Sequence, residues 1–234
     1  MSDVKIAQVS HLDFSFEPKP WPFADERRVE IDAAFAKMQR DKPALWNGRV
    51  LLLHRYAIDG DFMRGAFLET DYASFTAWQK LGRPAAGIHD CFGAAAIQSA
   101  DGAFLLGVMG AHTFNAGQSY FPCGTPDPDD ISGGKVDLEF SLRRELQEET
   151  GLDAGELDAE PGWILVFDGT LIAAIKVLRS KLTAEPLRAR MLEHLAREEQ
   201  PELADIRIVR GAADFDPKMR RFVRAFLAQR FATV

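Results

Sequence analysis

RRELQEETGL, residues 143–152, sets Glu145, Glu148 and Glu149 close together behind two arginines and just ahead of Gly151. On an α-helix these positions are related by i, i+3 and i+4, so all three carboxylates project from one side. Leu142 and Leu146, themselves i, i+4, supply an adjacent apolar side. Gly151 suits the left-handed position that ends a helix. Like charges at this spacing repel by roughly a few tenths of a kcal/mol per pair, and glutamates near a helix C-terminus oppose the macrodipole. A hard divalent cation reverses both penalties, because it takes oxygen ligands and puts positive charge between them. The competing reading is a solvated acidic face paired with Arg143, Arg144 and neighbouring lysines.

The rest of the chain narrows the setting. Its 234 residues suit one large domain, or one of ordinary size with an extension. Hydrophobic residues at 47% and charged residues at 27% describe a folding chain and exclude general disorder. A net charge of −7 with no Lys/Arg-rich run argues against nucleic acid or an anionic membrane as partner. Cys91 and Cys123 are too few for a disulfide framework. Cys91 lies in an apolar strand, where a thiol is buried and inert. Cys123 lies near the acidic segment, but no base is evident beside it to activate it. His11, His54, His89, His112 and His194 form no metal-ligand spacing. The first residues lack the apolar run of a signal peptide, and no stretch approaches the roughly 20 apolar residues that span a bilayer. The expected location is the cytoplasm.

Periodicity gives the elements. Residues up to about 25 read as an irregular arm rich in Pro and aromatics. A helix follows, with Val29, Ile31, Ala34, Phe35 and Met38 along its apolar side. GRVLLLHRYAI and FMRGAFLET, split by DGD, read as a strand pair, and SFTAWQKLG as a short helix ending at Gly82. RPAAG, 83–87, is a linker. Hairpins turn at Asp101–Gly102 and at Asp168–Gly169, with a short strand at 119–121. Residues 137–150 are helical, TAEPLRARMLEHLAREEQ is an amphipathic helix, and DIRIVR is a strand. A last helix is expected with Asp216 as N-cap and Pro217 at its first position. Strands joined by hairpins and interleaved with helices predict α/β architecture with a mixed sheet. The predicted division is an N-terminal α+β extension, 1–87, and a main domain, 88–234.

Arg144 to Leu152, Arg-Glu-Leu-x-Glu-Glu-x-Gly-Leu, resembles the second half of the Nudix box, G-x5-E-x7-R-E-U-x-E-E-x-G-U with U aliphatic, at all of its specified positions. The first half departs from the pattern. Without a gap, Asp130 falls where the family has Gly and Val136 where it has Glu. In a second register, Tyr120-Phe121-Pro122-Cys123-Gly124 resembles the strand and Pro-Gly-Gly that lead into the box, with Cys123 replacing one glycine. Asp130 then stands in for the first glutamate, and about six extra residues, ISGGKV, extend the spacer in a loop, where length is cheap. Alternatively Gly133 and Gly134 are the glycine pair of a shortened box. The first of these two keeps the strand-Pro-x-Gly lead.

The resemblance covers about 88–234 and implies a Nudix-type α/β/α sandwich with a mixed sheet. It further implies a pyrophosphohydrolase of nucleoside diphosphate derivatives. Glu145, Glu148 and Glu149 would hold Mg²⁺ or Mn²⁺, with Glu148, Glu149 and Arg144 as the catalytic set, and Arg144 orienting a glutamate. Gly124, Tyr120 and Phe121 would line the substrate site, Asp130 would add an outer contact, and Tyr72 and Trp163 are further candidates to stack on a base. The general base is one of Glu148, Glu149, Glu198, Glu199 or Glu202. ALWNGRVLLL and FLETDYASFTAW resemble the region ahead of the box in UDP-sugar-hydrolysing relatives, which favours a nucleotide sugar. The plain reading of that region is a packing subdomain with Trp46 and Trp78 in its core. ADP-ribose, NADH or coenzyme A is the alternative substrate, and a non-catalytic nucleotide sensor the alternative function. A homodimer is the assembly the family suggests.

Overall fold

A computed structural model describes residues 4–43, 45–84 and 87–232. The chain begins with strands β1 (Lys5–Val9) and β2 (His11–Phe16), then helices α1 (Pro22–Glu26) and α2 (Arg28–Asp41). The strand pair β3 (Arg49–Asp59) and β4 (Phe62–Asp71) leads into α3 (Tyr72–Lys80). After it come β5 (Asp90–Gln98), β6 (Phe104–Met109), β7 (Ser119–Tyr120), β8 (Ile131–Ser132), β9 (Lys135–Val136) and α4 (Leu138–Thr150). The chain closes with β10 (Asp158–Ala159), β11 (Trp163–Asp168), β12 (Leu171–Arg179), α5 (Ala184–Leu195), β13 (Leu203–Val209) and α6 (Arg221–Ala232). The fold is mixed α/β with two mixed sheets, as the alternation of hairpins and helices predicts.

These elements form two units, and the chain crosses between them more often than the predicted division at residue 88 allows. One comprises residues 1–10, 92–124 and 138–234; the other comprises 11–91 and 125–137. In the larger unit the main strands run in the order β1-β11-β12-β5-β6-β13, with β7 on β6 and β10 on β12. The expected N-terminal arm is thus partly strand: β1 pairs antiparallel with β11, Lys5 opposite Phe167 and Val9 opposite Trp163. Pro and aromatic content hid a pattern completed only by pairing with residues some 160 positions away.

Two neighbouring residues on β5 show the layering. Side chains alternate across a strand, so Phe92 and Gly93 face opposite sides of the sheet. Phe92 packs edge-to-face on Phe222 of α6, at 5.7 Å between ring centroids. At Gly93 an added Cβ would lie 2.5 Å from the Leu138 carbonyl and 3.1 Å from Cβ of Leu142, both in α4. Helices therefore cover both faces, α6 on one and α4 on the other. Leu138, Leu142 and Leu146 of α4 are all buried, each burial contributing roughly 1.5–3 kcal/mol.

The smaller unit is a five-stranded sheet, β3-β4-β2-β9-β8, in which β2 and β4 are parallel. Ile31 and Phe35 of α2 pack on Ala73 of α3, whereas Val29, expected on the same apolar side, is 85% exposed. Trp78 is buried beside Trp21 and Phe75. Trp46, expected in that core, is 79% exposed instead. The ISGGKV segment is the β8–β9 hairpin, which joins this sheet through Phe14 opposite Val136. Gly133 and Gly134 form its two-residue turn, both at positive φ.

The last helix starts later than expected. It begins at Arg221, while the Asp216 side chain accepts the Lys218 backbone N–H at 2.6 Å and pairs with Arg207 in the turn before it. The linker expected at 83–87 lies partly outside the described residues, at 85 and 86.

The contact at Gly93 makes a direct prediction. Gly93→Ala should cost about 1–3 kcal/mol in denaturant unfolding, because the obstacle is helix backbone that cannot swing aside. An unchanged unfolding midpoint would contradict the close seating of α4 on β5.

Candidate active site

α4 turns Leu142, Leu146, Glu149 and Thr150 toward the interior. Glu149 therefore shares a face with core leucines, which is where its sequence position places it on a 3.6-residue repeat. It is only 7% exposed. Burial, then the charges of Glu145, Glu202 and Glu148, push its carboxyl well above the usual range, against a hydrogen bond from the Cys123 backbone N–H. Burial and like charge act in the same direction here.

The 121–124 segment is fixed from two sides. Its Pro122 carbonyl accepts the Ala95 N–H of β5 at 3.0 Å, and its Cys123 N–H meets Glu149. Gly124 then lies so close to Glu145 that an added Cβ would be 2.3 Å from a carboxylate oxygen. Glu202 lies immediately ahead of β13, where its carbonyl accepts the Gly110 N–H at 2.7 Å. β6 pairs with both β7 and β13, so Tyr120, Gly124 and Glu202 gather at one end of the sheet beside α4.

Arg144 is 3.1 Å from Glu145 and 3.5 Å from Glu148, so its guanidinium holds those two carboxylates together. The Glu148 side chain is 60% exposed, in contrast to Glu149. Tyr120 is buried and its hydroxyl oxygen accepts from the Asn115 side-chain amide at 3.2 Å. Burial, with Cys123 and Glu149 nearby, pushes the phenol far above its ordinary pKa, so it stays protonated.

Other expected residues lie elsewhere. The Phe121 ring is fully buried between Phe104 and Phe226, with centroids at 6.2 and 5.3 Å, so it serves the core and presents no face to a base. Trp163 is also buried, with the Lys176 ammonium 4.4 Å from its ring centroid. Tyr72 packs on the apolar clusters of the smaller unit. Asp130 is buried and accepts the Asp127 N–H at 3.0 Å, closing the 128–130 turn. Cys91 is buried and its thiol is held far up the pKa scale by that burial. Of the three candidate bases after α5, Glu202 is a main influence on Glu149, whereas Glu198 pairs with His194 at 3.1 Å.

Among the described residues no three His, Cys, Asp or Glu side chains stand, as placed, in the arrangement of a metal centre. The donor chemistry nevertheless fits a hard cation. Glu149 is buried among carboxylates, while Arg144 of the same helix pairs with Glu145 and Glu148. Among the described residues, no helix is long and apolar enough to cross a membrane.

No family model matches the chain, and no curated protein matches it either. Solved structures resemble it at a distance. RenU, a Nudix hydrolase from M. Smegmatis, is 16% identical with a TM-score of 0.40, over 62% of this chain and 87% of that one. A MutT protein from Methanosarcina mazei Go1 is 19% identical with a TM-score of 0.42, over 62% and 94%. The Bacillus subtilis pyrophosphohydrolase BsRppH is 12% identical with a TM-score of 0.35, over 56% and 72%. At such identities and scores the functional reading has to come from the site itself.

Two predictions follow from this geometry. Gly124→Ala should leave stability within about 0.5 kcal/mol, since only a flexible carboxylate must move, yet weaken Mn²⁺ binding by displacing Glu145. Isothermal titration beside thermal melting separates the two effects. Glu149 has a raised folded-state pKa, so its contribution to stability is full below the unfolded value and is lost as pH rises through the folded one. Glu149→Gln should therefore raise the melting temperature of metal-free protein at pH 8 and change it little at pH 4. Each 1 kcal/mol recovered corresponds to roughly 2–4 °C. A Gln variant that melts lower at pH 8 would contradict the buried, crowded carboxylate.

Proposed function

We propose that the chain is a Nudix-type pyrophosphohydrolase, dependent on Mg²⁺ or Mn²⁺, that cleaves the diphosphate linkage of a nucleoside diphosphate derivative. The observation that carries this reading is Glu149, buried in contact with the 121–124 loop and crowded by Glu145, Glu148 and Glu202. Glu145, Glu148 and Glu149 would be the cation's ligands. A bound divalent cation would neutralise phosphate oxygens and lower the pKa of an attached water.

The chain's own groups then have separable tasks. Arg144 holds the Glu145 and Glu148 carboxylates against their mutual repulsion. Gly124 supplies the room that Glu145 needs. Tyr120, protonated and with its oxygen already accepting from Asn115, has its hydroxyl hydrogen to offer a phosphate oxygen or Glu149. Glu202, exposed and outside the helix, would accept the proton of the attacking water. This separates proton transfer from cation binding, which the α4 carboxylates perform.

The favoured substrate is a nucleotide sugar such as a UDP-sugar, supported by the Trp46-Asn47-Gly48 and Thr70-Asp71-Tyr72 segments. ADP-ribose, NADH and coenzyme A form the other arms of the test.

Purified protein should release phosphatase-sensitive product from at least one of these substrates only when Mg²⁺ or Mn²⁺ is added. Glu149→Gln should abolish measurable turnover. Glu202→Gln should lower kcat by about 10²–10⁴-fold while leaving Mn²⁺ affinity nearly unchanged. Nucleotide binding without turnover would favour a sensor, and metal-independent turnover would defeat the metal assignment.

A further inference from the structure

α4 ends at Thr150, and Gly151 follows at φ +69°. The last carbonyls of a helix lack intrahelical partners, and this last turn carries Glu148 and Glu149. Gly151 itself donates its N–H to the Gln147 carbonyl at 2.9 Å. The Glu148 carbonyl is met by a side chain from another helix. His194, one residue before the end of α5, places Nε2 2.9 Å from that oxygen.

Two features make this contact specific. The second neighbour of Nε2 is a Glu198 carboxylate oxygen at 3.1 Å, so both groups facing it are acceptors. The nitrogen must then carry the hydrogen and donate, which settles the tautomer by its surroundings. The imidazole is also pressed against Gly151, where an added Cβ would lie 2.6 Å from the ring's Cγ. Gly151 is therefore constrained twice, by its left-handed backbone and by the ring that covers it. No other residue type satisfies both.

We infer that His194 is a positioning residue for the acidic cluster, fixing the last turn of α4 by donating to the Glu148 carbonyl while Glu198 fixes the ring. The inference rests on the proposed role of Glu148 and Glu149 in holding a divalent cation. It also explains why Glu198 is occupied with another task than proton transfer. The ring touches no substrate in this reading; it acts through the backbone that sets the direction of two carboxylates.

The test compares His194→Ala with His194→Gln, whose side-chain amide retains a donor at similar reach. Hydrogen exchange at Gly151 and Leu152 reads the fixing of the turn without reference to activity. Mn²⁺ titration followed by electron paramagnetic resonance reads the carboxylates. His194→Ala should speed exchange at both amides and weaken Mn²⁺ binding by about 10-fold or more. His194→Gln should restore both to within about threefold of the parent. Equal behaviour of the two variants, whether both intact or both impaired, would overturn the hydrogen-bonding role. If the unaltered protein binds no Mn²⁺ while the exchange difference persists, the turn is fixed as described and the metal reading fails.

Discussion

The structure is organised around one unfavourable placement: the Glu149 carboxylate is buried on the core side of α4 with three other carboxylates acting on it. Burial and crowding each disfavour its charged form. Leucines at 138, 142 and 146 seat the helix regardless, and Gly93 lets it sit close to β5, so that Glu149 on the same inward side is buried. A chain selected for stability alone would put an apolar residue there. A cation entering this cluster would remove the very repulsion that the fold tolerates.

Different parts of the chain contribute to that one spot. The 121–124 loop brings Gly124 and the Cys123 N–H, tied down by Ala95. The chain immediately ahead of β13 brings Glu202, tied down by Gly110. Arg144 then holds two of the helix's own carboxylates, and His194 holds the Glu148 carbonyl in its last turn. None of these supports is strong alone. Each removes one way in which mutual repulsion would spread the acidic groups apart.

Much of this was legible in the sequence, and the reasons are physical. The α4 reading depended on i, i+3 and i+4 spacing and on a terminal glycine, both local properties of the chain. The Asp-Gly hairpins and the mixed sheet were legible for the same reason. What escaped was nonlocal. β1 is a strand through its pairing with β11, and the ISGGKV insertion is a hairpin that joins the smaller sheet. Val29 and Trp46 look apolar but are exposed, since composition does not say which face of an element has a partner. Phe121 precedes the glycine loop in sequence yet faces the core, and Asp130 is used up in closing its own turn. That Glu202 acts on Glu149 while Glu198 pairs with His194 was also nonlocal, because both residues follow α5 in sequence.

The central claim is that the acidic end of α4 exists to hold a hard cation. Crystals grown with Mn²⁺ and examined by anomalous diffraction test it most directly. The account predicts a peak between Glu145 and Glu149, about 2 Å from carboxylate oxygens of both, with Glu148 drawn in from its exposed position. Electron density showing those carboxylates unmoved, with manganese absent or bound elsewhere, would contradict it.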